Sequence, residues 1–217
     1  MKAFKETGEA TAFTINRIIE LLKSNAHVLW FVTGGSSIAI AAEASIEIAK
    51  HNHKNLTVML TDERYGPLEH KDSNWQGLLK AGFHLPEAKL IPILSGKKME
   101  ETIKEFNKAI EREFSMADYK IGLFGIGADG HTAGILPESP AVNSRELASG
   151  YRSETFERIT ITPRAIAKFD EIIVFAKGKE KWKTLDDLNI EIDIRVQPAQ
   201  ILKKAPLLTI FTDYKNN

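Results

Sequence analysis

Residues 27–32 read HVLWFV, a continuous apolar run that stops on Thr33-Gly34-Gly35. A strand apolar at consecutive positions has no face to give to water, so both of its faces must be covered. Similar short runs recur at Leu56–Leu60, Tyr119–Phe124, Glu171–Ala176 and Leu207–Thr212, with extended stretches predicted at Lys89–Ile93 and Arg158–Thr162. Between them lie segments of helical spacing. Residues 9–23 place Ala12, Ile15, Ile18, Ile19 and Leu22 on one face, and residues 36–50, 73–81, 100–114 and about 178–188 also read as helices. Buried strands alternating with amphipathic helices predict βαβ units: an α/β chain, one domain over residues 1–217, with a mainly parallel twisted sheet covered by helices on both faces. Such sheets take their ligands outside the carboxyl ends of the strands, which directs attention to the loops leaving them.

Composition narrows the partners. The 217 residues carry 29 lysines and arginines against 29 aspartates and glutamates, so no basic excess invites nucleic acid or a membrane surface. A local basic patch for one small anion remains open. With no cysteine there is no disulfide, zinc-thiolate or thiol chemistry. The start MKAFKETGEATAF has no apolar leader core, and no run approaches the roughly 18 residues of a membrane span. The expectation is a soluble, cytoplasmic protein.

Four strand-end loops carry residues suited to chemistry. The first is Thr33–Ser37 (TGGSS), whose glycine amides at a helix start suit a phosphate; alone it reads equally as a tight turn with a serine N-cap. In the second, LTDERYGPLEHKDSNW (residues 60–75), Arg64 can fork onto a phosphate or carboxylate and Asp62 can bond sugar hydroxyls, with Ser73-Asn74 starting the next helix. Composition alone makes the same stretch a solvated charged loop. The third, GIGADGHTAGILP (residues 125–137), packs four glycines around Asp129 and His131 directly after an apolar strand. Imidazole is the side chain suited to general-base work near neutral pH, although a lone histidine is also often structural. In the fourth, AKGKEKWKTL (residues 176–185), Lys179 and Lys181 sit in a first helical turn, where the macrodipole disfavours cations unless an anion is bound or water solvates them. His51-Asn52-His53 ends a helix among lysines and reads as solvated surface, and no metal-ligand spacing occurs anywhere.

Taken in order, TGGSS, TDERYGP with SNW, GIGADGHTAGILP, ERITIT (residues 157–162) and GKEK resemble the 6-phosphogluconolactonase family, within the wider group that includes glucosamine-6-phosphate deaminase. The match covers nearly the whole chain, and its specificity lies in the combination. The resemblance implies a Rossmann-like fold and hydrolysis of 6-phospho-D-glucono-1,5-lactone, a sugar phosphate, in the pentose phosphate pathway, with no metal and no organic cofactor. It implies that Gly34, Gly35, Ser36 and Ser37 hold the phosphate with Arg64 and Lys181 nearby. Asp62 belongs to the same substrate site, His131 activates water, and Asp129 orients the site.

The chain also departs from the pattern. It reads Tyr65-Gly66-Pro67 where lactonases commonly place an apolar residue before the proline, and it is short between Pro137 and Glu157. Deaminase relatives carry a glutamate five positions after the loop histidine; here that position is Leu136, which can relay no proton. The lactonase reading is therefore favoured over a deaminase or isomerase, with a non-catalytic sugar-phosphate binder as the remaining alternative.

Overall fold

A computed structural model describes residues 7–214; Met1–Glu6, part of the stretch read above for a leader, and the last three residues lie outside it. The described strands are β1 (Val28–Val32), β2 (Leu56–Leu60), β3 (Asp62–Arg64), β4 (Lys89–Ile91), β5 (Tyr119–Gly125), β6 (Ala148–Arg152), β7 (Glu157–Ile161), β8 (Glu171–Ala176) and β9 (Leu207–Thr212). The helices are α1 (Thr7–Lys23), α2 (Ile38–Ile48), α3 (Asn74–Lys80), α4 (Met99–Met116), α5 (Pro163–Ile166) and α6 (Trp182–Asp187).

Six strands form one sheet in the order β4-β2-β1-β5-β8-β9. Every neighbouring pair in it is parallel. Counted within this sheet alone, the order is that of a doubly wound dinucleotide-type fold, with its topological switch between β1 and β5. The loops leaving these two strands are TGGSS and GIGADGH. The glycine-rich segments thus flank the crevice that the winding itself creates.

The apolar runs are explained by two covered faces. In β1, Trp30 and Phe31 are both fully buried but look to opposite layers. Trp30 packs on Phe83 beyond α3, whereas Phe31 meets Phe114 of α4 and Phe169. Burying a side chain of this size stabilises by roughly 1.5–3 kcal/mol, so an alternating strand would forfeit one whole layer.

Several sequence expectations need correction. Besides the parallel sheet there is an antiparallel one, β3-β7-β6, in which Asp62 is paired with Thr160 and Arg64 with Arg158. The supposed charged loop therefore begins as a strand: Asp62 is buried and Glu63 fully so. In α1 the buried face is Ala10, Thr11, Thr14 and Ile18, while Ala12 is exposed. Thr14 is tolerated inside because its Oγ1 donates to Ala10 O at 2.8 Å. The helix predicted from Ser36 is preceded by a 3-10 turn over Gly35–Ser37, and no serine side chain caps α2. Ser73 does cap α3, accepting from the Gln76 amide at 3.1 Å. His53 is buried, not solvated; its Nδ1 lies 2.8 Å from His51 O and its Nε2 accepts from the Glu87 amide. Among the described residues no helix is long and apolar enough to cross a membrane.

Candidate active site

A cavity of about 390 Å³ opens at the β1/β5 switch point. Its wall takes Thr33, Gly34, Gly35 and Ser36 from the first loop, Asp62, Arg64 and Asn74 from the second, and Gly125–Ala128, His131 and Ala133 from the third. Arg158 of β7 and Lys181 complete it. Of the residues singled out in the sequence, Gly34, Gly35, Ser36, Asp62, Arg64, His131 and Lys181 thus come together from segments up to 147 residues apart. Ser37 is not part of the wall; it is buried, with an unpartnered hydroxyl. Asp129 is reached through His131.

The histidine loop is fixed by its own backbone. The Gly127 amide donates to His131 O at 2.9 Å and the Gly130 amide to Gly127 O at 3.1 Å, so the segment folds back on itself. The imidazole Nδ1 lies 2.6 Å from Asp129 Oδ1, which also accepts the His131 amide at 3.1 Å. Both side chains are partly exposed, 40% for His131 and 52% for Asp129. Burial pushes the Asp129 carboxyl up, but the charge of His131 and the bonds from its amide and ring outweigh this and hold it below the usual carboxylate range. A carboxylate on Nδ1 fixes the tautomer with Nδ1–H donating, which leaves Nε2 as an acceptor. Gly127 is required for this packing: a Cβ there would overlap the His131 ring and the Asp129 carboxylate.

Downstream, the loop is tied to both sheets. Thr132 Oγ1 donates to Gly125 O at 2.9 Å, the Gly134 amide to Thr160 Oγ1 at 3.0 Å, and Tyr151 Oη to Gly134 O at 2.6 Å. Ala133 between these anchors has φ 50°, a left-handed conformation that costs a non-glycine residue roughly 1–2 kcal/mol. Leu136 is half-buried, its amide donating to Tyr151 Oη, and does not reach the cavity wall.

The second loop owes its shape to Glu63. Oε1 accepts the amides of Arg64 (2.8 Å) and Asn74 (2.6 Å); Oε2 accepts Ser73 Oγ (2.8 Å) and the Trp75 amide (3.0 Å). This one carboxylate joins β3 to the start of α3. Burial raises its pKa above the ordinary carboxylate value, against the downward pull of all four donors. Asn74 Nδ2 then donates to Asp62 O at 3.0 Å. The Asn74 side chain lies over Gly34, where any Cβ would collide with it, so the first and second loops close on each other.

The charge of the wall differs from that of the whole chain. Arg64, Arg158 and Lys181 bring three cations against the single carboxylate of Asp62. Arg64 donates through Nη1 to Asp72 O at 2.8 Å, and its Nε is buried without a partner. Among the described residues neither Arg64 nor Arg158 forms an ion pair, whereas Arg17, Arg112 and Arg195 all do. Lys181 ends a 3-10 turn (Lys179–Lys181) ahead of α6, while Lys179 spends its charge over the Trp182 ring at 5.8 Å. Such a wall suits a small, multiply charged anion. Among the described residues no cluster of three or more His, Asp or Glu side chains is placed to hold a metal.

Sequence reasoning missed Arg158, and it gave Asn74 as a residue that starts a helix and holds its loop, which it does, but not as part of the cavity wall. Arg158 and Thr160 share one face of β7 by the two-residue period, opposite Arg64 and Asp62. That pattern is readable only once Asp62–Arg64 is known to be a strand.

The chain is similar to known proteins in sequence and in fold. The chain is 28% identical over 202 residues to the 6-phosphogluconolactonase of Pseudomonas aeruginosa, covering 88% of this chain and 84% of that one. It is 25% identical over 187 residues to the human 6-phosphogluconolactonase, covering 79% and 72%. In fold it is similar to the crystal structures of 6-phosphogluconolactonases from Thermotoga maritima (TM-score 0.80, 19% identity, 97% of both chains) and Shewanella baltica (TM-score 0.81, 18% identity, 97% and 96%). Residues 5–210 match the sequence family described as glucosamine-6-phosphate isomerases/6-phosphogluconolactonase, and the chain belongs to that family.

Proposed function

We propose that the chain hydrolyses 6-phospho-D-glucono-1,5-lactone to 6-phosphogluconate, with His131 activating the attacking water. The observation that carries this reading is the His131–Asp129 pair on the wall of a cavity that also holds Arg64, Arg158 and Lys181. The named relatives supply the substrate.

A δ-lactone is an ester closed into a ring, so its cleavage asks for one base, one water and stabilisation of a tetrahedral oxyanion. His131 Nε2 takes a proton as the water oxygen bonds to C1. Asp129 keeps Nδ1 protonated and compensates the imidazolium that forms. The C1–ring oxygen bond then breaks, and the proton held on His131 passes to the leaving ring oxygen. Water is thus divided between the new carboxylic acid, which ionises, and the freed hydroxyl. Backbone amides of the glycine loops are the oxyanion donors available.

The phosphate is remote from C1 and supplies orientation. The amides of Gly34, Gly35 and Ser36 ahead of α2 and the side chains of Arg64, Arg158 and Lys181 receive it, while Asp62 takes sugar hydroxyls. Ser37, the last residue of this 3-10 turn, is buried beneath the wall. The whole chain acts as one domain, a reading supported by one continuous cluster of buried side chains that draws on both sheets. A phosphorylated sugar does not cross a membrane unaided, so the cytoplasm is the compartment for this activity.

The test is purified protein on freshly prepared 6-phosphogluconolactone, followed by proton release against spontaneous hydrolysis. A rate proportional to enzyme concentration supports the reading. Ammonia release from glucosamine 6-phosphate would move it to the deaminase. Saturable phosphosugar binding without turnover would leave only a binder.

A further inference from the structure

Arg64 and Arg158 stand directly opposite each other in the β3–β7 ladder, and both side chains reach the same cavity. Like charges facing each other across an antiparallel pair repel and destabilise it. Among the described residues three other arginines are steadied by carboxylates, Arg17 by Glu171, Arg112 by Glu113 and Arg195 by Asp193, and none of these three faces another arginine across a strand pair. Here it is an aromatic ring that lies next to both cations. The centroid of Phe156 lies 5.3 Å from Arg64 Cζ and 5.5 Å from Arg158 Cζ, within cation–π range of each.

Phe156 is not itself part of the cavity wall. It ends the turn Ser153–Phe156 that joins β6 to β7, and that turn is tightly closed. Ser153 N donates to Phe156 O at 2.8 Å, and Phe156 N donates back to Ser153 Oγ at 3.2 Å. Arg158 Nε reaches the same Ser153 Oγ only at 3.4 Å. Among the described residues, apart from one bond to Asp72 O and this long one, the Phe156 ring is the neighbour next to both guanidinium groups.

The choice of ring has a chemical consequence. A carboxylate at this place would hold the arginines more firmly but neutralise the charge a ligand needs. An aliphatic side chain would leave them free to splay apart. We propose that Phe156 is a positioning residue, whose ring holds Arg64 and Arg158 side by side as an uncompensated pair of cations that receives the dianionic phosphate of the substrate. This rests on the lactonase reading for the substrate, but the arginine pair and its ring do not depend on the chemistry at C1.

The test is Phe156→Leu, with Phe156→Trp as the aromatic rescue, measured by lactone kinetics and by calorimetric binding of 6-phosphogluconate and inorganic phosphate. The expected result for Phe156→Leu is a rise of about tenfold in KM and in both dissociation constants, on the scale of losing two cation–π contacts. The kcat should stay within twofold, and hydrolysis of unphosphorylated glucono-1,5-lactone should not change. Phe156→Trp should bind as the native protein does. Native-like binding by Phe156→Leu, or a kcat loss shared equally by both lactones, overturns the proposal even if the enzyme proves a lactonase. Weakened product and phosphate binding in a protein that hydrolyses no lactone would uphold it while overturning the proposed reaction.

Discussion

His131 Nδ1 and Asp129 Oδ1 are 2.6 Å apart although only one residue separates them in sequence, and both stand partly open to solvent. Residues two apart are seldom aimed at each other. Here the backbone bond from the Gly127 amide to His131 O turns the chain sharply enough to bring the carboxylate under the ring. The pair is therefore made by the loop and not by the surrounding core.

Replacing the ring removes the base. His131→Ala should lower kcat by roughly 10²- to 10⁴-fold, the usual worth of general-base catalysis, while 6-phosphogluconate binds nearly as before. The substitution deletes a partly exposed side chain, so stability should hold. A variant that keeps half of the native kcat would take His131 out of the mechanism.

Asp129→Asn should act on the tautomer of His131. The Asp129 carboxyl lies below its ordinary value, so the unfolded chain binds more protons just below pH 4, and this group's contribution to stability is lost as pH falls through its folded value. At neutral pH the carboxylate is therefore ionised and accepts from the ring Nδ1–H. Asparagine removes that charge and can present an N–H in place of an acceptor. The kcat should fall by about tenfold or more as the tautomer is lost, with little change in the binding of 6-phosphogluconate. A native kcat would show that Asp129 does not act through the ring.

Phosphate recognition should separate from chemistry. Arg64→Ala or Lys181→Ala removes a charge-assisted bond of about 1.5–3 kcal/mol, or roughly ten- to a hundredfold in kcat/KM. The deficit should vanish on glucono-1,5-lactone, which has nothing for these cations to hold. Equal deficits on both lactones would assign the residues to the fold or to the water.

Which of these features the sequence discloses follows from what hydrophobic patterning can detect. Strands β1, β2, β5 and β8 announce themselves because both faces are largely buried, β9 does so through its buried Ile210–Thr212 end, and the glycine loops after β1 and β5 follow from the winding. Asp62-Glu63-Arg64 is invisible to the same method: a strand of three charged residues carries no apolar period. Its Glu63 is buried because four donors converge on it, a fact of tertiary structure. With β3 unseen, Arg158 opposite Arg64 has no address. Ser37 shows the reverse error, since a motif that reads as one phosphate cradle places its last residue beneath the wall.

Acid stability should depend on Glu113 of α4. Its buried carboxylate takes Lys89 Nζ and Arg112 Nε on one oxygen, each at 2.7 Å. Burial pushes it up, but the two cations more than compensate and leave it below the ordinary carboxylate value. A lowered folded value gives stability that is present above the unfolded value of about 4.3 and lost as pH falls through the folded one. Glu113→Gln should therefore be less stable than the native protein at pH 7, and the gap should narrow as the pH approaches 3. A gap that stays constant in denaturant titrations between pH 7 and 3 would contradict this.

Glu63→Gln carries the strongest link between fold and site. The native carboxylate offers only acceptors, and four donors use them. Glutamine keeps one oxygen and replaces the other with an NH₂ that faces donors, so at least two buried groups lose their partners. Leaving such groups unsatisfied costs about 1–3 kcal/mol each, and a total of about 2–4 kcal/mol corresponds to a fall in Tm of roughly 5–15 °C for a chain of this size. The same change frees the junction of β3 with α3, which sets Arg64 on one side and Asn74, lying over Gly34, on the other. The kcat/KM for the phosphorylated lactone should therefore fall at temperatures well below unfolding, with KM carrying most of the loss because the base and its aspartate sit on a different loop. A variant with native Tm and native KM would mean that Glu63 neither holds the fold together nor sets the phosphate side of the cavity.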